Sequence, residues 1–155
     1  MTSSDKENLV LETTKGRVVI ELRPDLAPNH VARIKELAEQ KFYDDVPFHR
    51  VIDGFMAQTG DGQYRNGTGG SGKKLKAEFN RESHQRGVVS MARANHPDSA
   101  DSQFFICFDD ASFLDGKYTV WGKVIEGMDN VDKIERGEPV KNPDKIVTAR
   151  VEKAA

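Results

Sequence analysis

Apolar residues recur along this chain in two rhythms. Between Leu9 and Leu22 they form two short runs broken at Lys15-Gly16, and the second run, Val18-Val19-Ile20-Glu21-Leu22, is rich in β-branched side chains. That pattern predicts a pair of strands around a turn. Over residues 30–41 the spacing lengthens: Val31, Ile34, Leu37 and Ala38 recur at helical intervals, while Arg33, Lys35, Glu36 and Glu39 fill the other face. An amphipathic helix is expected there, with Pro28 placed to open it. Short apolar runs then return over residues 47–52, 55–59, 88–92, 104–108 and 119–125, separated by Gly, Asp and Asn. Their brevity and turn signals predict an antiparallel sandwich or barrel in preference to βαβ units. Met128, Val131 and Ile134 share one face of a second short helix expected over 128–136, and a last strand is expected over 145–152. With no internal repeat or linker, residues 9–155 read as one domain behind a polar tail at 1–8.

Composition narrows the function classes. At 155 residues, 37% hydrophobic and 31% charged, the chain is globular and long enough to bury a core without a metal or disulfide staple. Its net charge of −2 supplies no basic excess for neutralising phosphates, so no nucleic-acid partner is expected. Cys107 is the single cysteine and sits in the apolar run Gln103-Phe104-Phe105-Ile106-Cys107-Phe108, where it reads as a small buried hydrophobe. The polar first eight residues carry no apolar leader, and no window of about 18 apolar residues occurs, so a cytoplasmic protein with no membrane partner is expected.

Several chemical signatures fall away on inspection. Gly67-Thr68-Gly69-Gly70-Ser71-Gly72-Lys73 fits the first seven positions of a phosphate-binding loop, but the eighth, which should be Ser or Thr, is Lys74. No apolar strand leads into it and no committed helix follows, so the glycines of the long 61–74 loop are read as serving an irregular path. His30, His49, His84 and His96 are scattered, and neither a metal nor any other cofactor is expected. Ser90 and Ser102 lie outside any G-x-S-x-G elbow.

What remains is an apolar strand that carries a cation. In Phe48-His49-Arg50-Val51-Ile52, Arg50 shares a parity with Phe48 and Ile52, a place where Arg has either a partner or a task, or lies on an edge strand and snorkels to solvent. Met56 and Gln58 share a face in the next run. Both faces of Phe104-Phe105-Ile106-Cys107-Phe108 are apolar; one can fill a barrel, and the face carrying Phe105 needs a cover, for which a ligand is a candidate.

These stretches, with Gly54-Phe55-Met56-Ala57-Gln58-Thr59-Gly60-Asp61, Asn66-Gly67-Thr68-Gly69-Gly70, Ser90-Met91-Ala92 and Phe113-Leu114-Asp115-Gly116-Lys117, resemble the cyclophilin family of peptidyl-prolyl cis–trans isomerases in composition and spacing from about Val10 to Glu152. The resemblance implies an all-β fold with two helices, a closed eight-stranded antiparallel barrel capped by two α-helices. It implies that Arg50 is the catalytic arginine, with Gln58 and Phe55 beside it in the catalytic set. Met56, Phe105 and Leu114 complete the wall of a proline pocket with Phe55, and Ala92-Arg93-Ala94 match a strand that pairs with peptide. Gly67, Gln103, Phe113 and Tyr118 match the rim.

Four features depart from the animal members. Phe113 stands where they carry Trp, Tyr118 where they carry His, and the 95–101 segment differs in length and composition; Arg93 also replaces an Asn. The first two substitutions resemble bacterial cytosolic members, and the lost indole N–H implies reduced affinity for cyclosporin A. The resemblance further implies a chaperone-like monomeric isomerase whose partners are proline-containing peptides and unfolded or partly folded proteins. The alternative is a proline-segment binding module or holdase that uses the same pocket without relevant turnover.

Overall fold

The computed structural model describes residues 6–154. Its strands are β1 (Glu7–Thr13), β2 (Gly16–Leu22), β3 (Val46–Pro47), β4 (Arg50–Ile52), β5 (Met56–Thr59), β6 (Val88–Met91), β7 (Phe104–Cys107), β8 (Val120–Glu126) and β9 (Lys145–Lys153). The helices are α1 (Pro28–Glu39) and α2 (Met128–Val131). Every strand pair is antiparallel, in the order β3-β9-β1-β2-β8-β6-β7-β5-β4. Residues 1–5 of the expected tail lie outside the described residues, and Glu7 and Asn8 already belong to β1.

The closed eight-stranded barrel is corrected: nine strands curl into a half-barrel whose edge strands, β3 and β4, do not pair. The cause lies in the run expected as a single strand over 47–52. Pro47 has no N–H, and the Phe48 N–H turns to the Asp144 carbonyl at 2.8 Å, so the chain leaves one edge of the sheet and joins the other at Arg50. The free edge of β4 is satisfied by Gly137, which exchanges two 2.8 Å backbone hydrogen bonds with Val51.

The concave face buries Leu9, Leu11, Ile20, Phe48, Phe104, Ile106 and Trp121 against Val31, Ile34 and Leu37 of α1. Each such side chain contributes about 1.5–3 kcal/mol when removed from water. Pro28 opens α1 as expected, yet no local side chain caps it. The Glu78 carboxylate does so from a distant loop, accepting the N–H groups of Asn29 at 3.2 Å and His30 at 2.8 Å. The second helix is shorter than the expected 128–136. Lys133 and Ile134 bond three residues back, and the Glu135 N–H is diverted to Asp144 Oδ2 at 2.8 Å.

Candidate active site

The register of four strands builds the site. Arg50 is paired with Gln58, Gln58 with Phe105, and Phe105 with Ser90, so these four side chains form one row on the convex face of β4, β5, β7 and β6. The neighbouring row, Val51, Ala57, Ile106 and Val89, points the other way into the main core. The two apolar faces read in β7 are therefore real. The second face holds its own cluster of Met56, Phe105, Cys107, Ala111 and Leu114, flanked by Ile52, Phe55, Ala92 and Tyr118. The parity of Arg50 with Phe48 is corrected: Phe48 lies outside the strand and is fully buried in the main core.

Phe105 is largely covered by protein. The His84 ring stacks on it at 6.1 Å and 18°, and Tyr118 meets it edge-on at 5.7 Å. His84 is itself fixed, with Nδ1 3.0 Å from Asp115 Oδ1 and Nε2 3.0 Å from Ser90 Oγ. Phe105, Met56 and Leu114 form the floor and wall of a cavity of about 150 Å³, completed by Phe55, Ala92, Arg93 and Tyr118, with Arg50 and Gln58 at its polar side. Gln58, Ala92 and Arg93 also line a second cavity of about 390 Å³, with Gly67, Ala94 and Gln103 among its walls. Phe113 lines neither cavity; it is 64% exposed, and its ring lies 5.5 Å from Phe55.

Arg50 is held by its neighbours. Its Nε donates to Glu138 Oε2 at 2.7 Å, and its Nη1 reaches Gln58 Oε1 at 3.4 Å. Gln58 Nε2 donates to Gln103 Oε1 at 2.9 Å, and Gln103 Nε2 donates to the carbonyls of Gly67 and Gly69. The relay fixes which end of each amide faces which partner, and it leaves Arg50 Nη2 without a protein acceptor among the described residues. His49, beside Arg50, has its pKa pushed down chiefly by burial, with Asp61 opposing and Arg50 adding.

Two further features hold the walls. The Arg93 guanidinium sits 4.8 Å from the Tyr118 ring centroid and donates to the carbonyls of Lys117, Ala94 and Asn95. The Gly-rich loop wraps a carboxylate: Asp61, fully buried, accepts the N–H groups of Gln63, Tyr64, Asn66, Gly67 and Gly69. Burial raises its pKa, but these N–H groups outweigh burial and hold it at about 2. Five of the loop's donors are thus already turned on Asp61, and those of Ser71 and Gly72 on Asp101. Sequence reasoning missed His84, Asp115, Glu138 and the hub role of Asp61. None has a signature: Glu138 and the His84–Asp115 pair act across long sequence separations, and Asp61 acts on backbone N–H groups that every residue carries; Asp115 and Asp61 were visible only as members of longer motifs.

Cys107 is fully buried, and burial, with Asp115 adding, pushes its thiol up to about 12, as befits a core residue. Among the described residues no three His, Cys, Asp or Glu side chains are grouped to hold a metal ion, and no helix is long and apolar enough to cross a membrane.

Comparison with known proteins gives one answer throughout. The family model described as cyclophilin type peptidyl-prolyl cis-trans isomerase/CLD matches residues 8–152. The chain is 53% identical to a probable peptidyl-prolyl cis-trans isomerase of Brucella suis biovar 1 (strain 1330), covering 97% of this chain and 86% of that protein. A peptidyl-prolyl cis-trans isomerase of Helicobacter pylori (strain ATCC 700392 / 26695) is 43% identical, covering 85% and 82%. Among solved structures, a cyclophilin from Hirschia baltica superposes with a TM-score of 0.86 at 34% identity, over 96% of this chain and 74% of that one. A cyclophilin type peptidyl-prolyl cis-trans isomerase from Cryptosporidium parvum, solved in the presence of the dipeptide Ala-Pro, superposes with a TM-score of 0.87 at 25% identity, over 95% and 99%.

Proposed function

This chain belongs to the cyclophilin-type peptidyl-prolyl cis–trans isomerase family, and from that premise we propose that it turns X–Pro bonds at the cavity shared by Arg50, Phe55, Met56 and Phe105. The observation that carries this reading is the shared cavity itself, a cation and an apolar notch of about 150 Å³ on one face of the sheet. The volume suits a small ring, and the solved relative in the presence of Ala-Pro supports a prolyl occupant.

Amide resonance gives an X–Pro bond a rotation barrier of about 18–20 kcal/mol. At the twisted geometry conjugation is broken and the prolyl nitrogen carries a localised lone pair. A donor aimed at that lone pair binds the twisted form better than either planar form, and only such a difference lowers the barrier. Arg50 fills this role: a guanidinium stays protonated, and here Glu138 and Gln58 hold it from two sides while Nη2 is left to donate. Phe55, Met56, Phe105 and Leu114 grip the pyrrolidine ring while the preceding carbonyl swings. No covalent intermediate is needed.

Clients on this reading are proline-containing segments of unfolded or partly folded proteins, whose X–Pro steps are slow. A binding module without turnover would use the same notch, and variants separate the two. Phe105→Ala removes both binding and turnover, whereas Arg50→Ala removes turnover and keeps binding of an Ala-Pro peptide. Phe113 offers no indole N–H at the rim, so cyclosporin A binds weakly, and Phe113→Trp tightens it; titration calorimetry of the two proteins reads the difference, and equal affinities would refute it. Exchange spectroscopy on a short Ala-Pro peptide tests the function itself: the protein accelerates cis–trans exchange at substoichiometric amounts, and an unchanged rate would reject the assignment.

A further inference from the structure

The candidate site does not end at its second cavity. Lys74 lines that cavity and also a third depression of about 330 Å³ lying against α1. Since Gln58, Ala92 and Arg93 join the first two cavities, one trench runs from Arg50 to the exposed side of the helix.

The far end of this trench is basic. Lys73, Lys74 and Lys76 line it from the loop and Arg33 from the helix, in a chain whose net charge is −2. Leu75 anchors the segment, buried and donating its N–H to the Ala100 carbonyl at 2.7 Å, while Lys74 and Lys76 on either side are exposed. The nearby acids have partners within the fold. Glu36 pairs with Arg33, and Asp101 accepts from the Ser71 N–H and hydroxyl and the Gly72 N–H. None of the three lysines is in an ion pair among the described residues.

We propose that the trench selects clients in which a run of Asp or Glu accompanies the X–Pro bond some residues away, the acidic segment lying across Lys74 in the groove against α1. This rests on reading the Arg50 cavity as the place of isomerisation. Charge complementarity at an exposed rim acts on encounter and binding, leaving the chemical step alone.

The test uses the full chain and an Ala-Pro peptide carrying a four-Glu tail, on either end, through a flexible spacer of about six residues, which extended spans roughly 20 Å. A four-Gln tail is the control. At low salt one Glu-tailed peptide has a KM about tenfold below its Gln counterpart with kcat unchanged, and the gap closes near 1 M salt, where the Debye length is about 3 Å. In Lys73→Gln/Lys76→Gln the gap falls to within about twofold while kcat/KM on the short peptide is unchanged. Fluorescence anisotropy of the Glu-tailed peptide reads the groove separately from turnover. Arg50→Ala therefore loses turnover and keeps the Glu-dependent binding, and a wild type that binds this way without turnover would sink the isomerase reading alone. Equal KM values for both tails in the wild type, or a gap that survives Lys73→Gln/Lys76→Gln, would overturn the proposal. So would lysine-dependent binding of a single-stranded RNA oligonucleotide tighter than that of the Glu-tailed peptide.

Discussion

At Asp61 a carboxylate gathers five backbone N–H groups of one loop. Its folded carboxyl sits at about 2 against an ordinary 3.8, so the stability it contributes is present in full above about pH 4 and is lost as pH falls toward 2. That depression corresponds to about 2 kcal/mol. Asp61→Asn is expected to lower the unfolding free energy at pH 7 by about that amount and to flatten the acid arm of the stability profile between about pH 4 and 2; urea denaturation at stepped pH measures both. An unchanged acid arm would show that the loop is held by other means. The sequence displays Asp61 only as the end of an apolar run. Its importance comes from N–H groups, which every residue possesses, so no residue pattern announces it. Arg50 drew notice for the opposite reason: a cation inside an apolar run stands out as a residue type, and the structure places it half-exposed on the edge strand β4 beside the apolar notch.

Among the elements, strands were read well where side chains alternate and poorly where the backbone decides. Met56 and Gln58 do share a face, and both faces of β7 are buried. The break between β3 and β4 escaped notice because hydrophobicity continues through Phe48 while Pro47 and the Phe48 N–H redirect the chain. The helix expected over 128–136 kept its apolar face, with Ile134 1% exposed, and lost its last turn to Asp144, a competitor no local pattern reveals. The Gly-rich loop offers a test at this scale. Gly67 has φ +95°, and a Cβ there would lie 2.7 Å from His49 Cδ2. Gly67→Ala is expected to destabilise by about 1–2 kcal/mol and, by moving the carbonyl that holds Gln103, to raise KM more than it lowers kcat. Michaelis–Menten kinetics on an X–Pro peptide decide this, and a purely stability-level effect with unaltered KM would contradict it.

For the molecule as a whole, one continuous sheet separates two apolar clusters, and neither cluster can be dismantled without exposing the strands that serve the other. Trp121 in the main core and Cys107 in the second cluster, both fully buried, therefore report the same event. Trp121 fluorescence, Cys107 labelling by a disulfide reagent and far-ultraviolet circular dichroism should trace one coincident urea transition, with no labelling of the native protein at pH 8. Labelling that precedes the fluorescence change would mean that the site cluster melts alone. Fold class and family were legible in motif spacing, whereas barrel closure was not, because it turns on a handful of backbone bonds at the sheet's edges. On the proposed reading turnover depends on one guanidinium, and kcat/KM of Arg50→Ala beside the wild type on a short Ala-Pro peptide measures its part. With native circular dichroism retained, turnover should drop by roughly 10²–10³; isomerisation at the wild-type rate would remove Arg50 from that role.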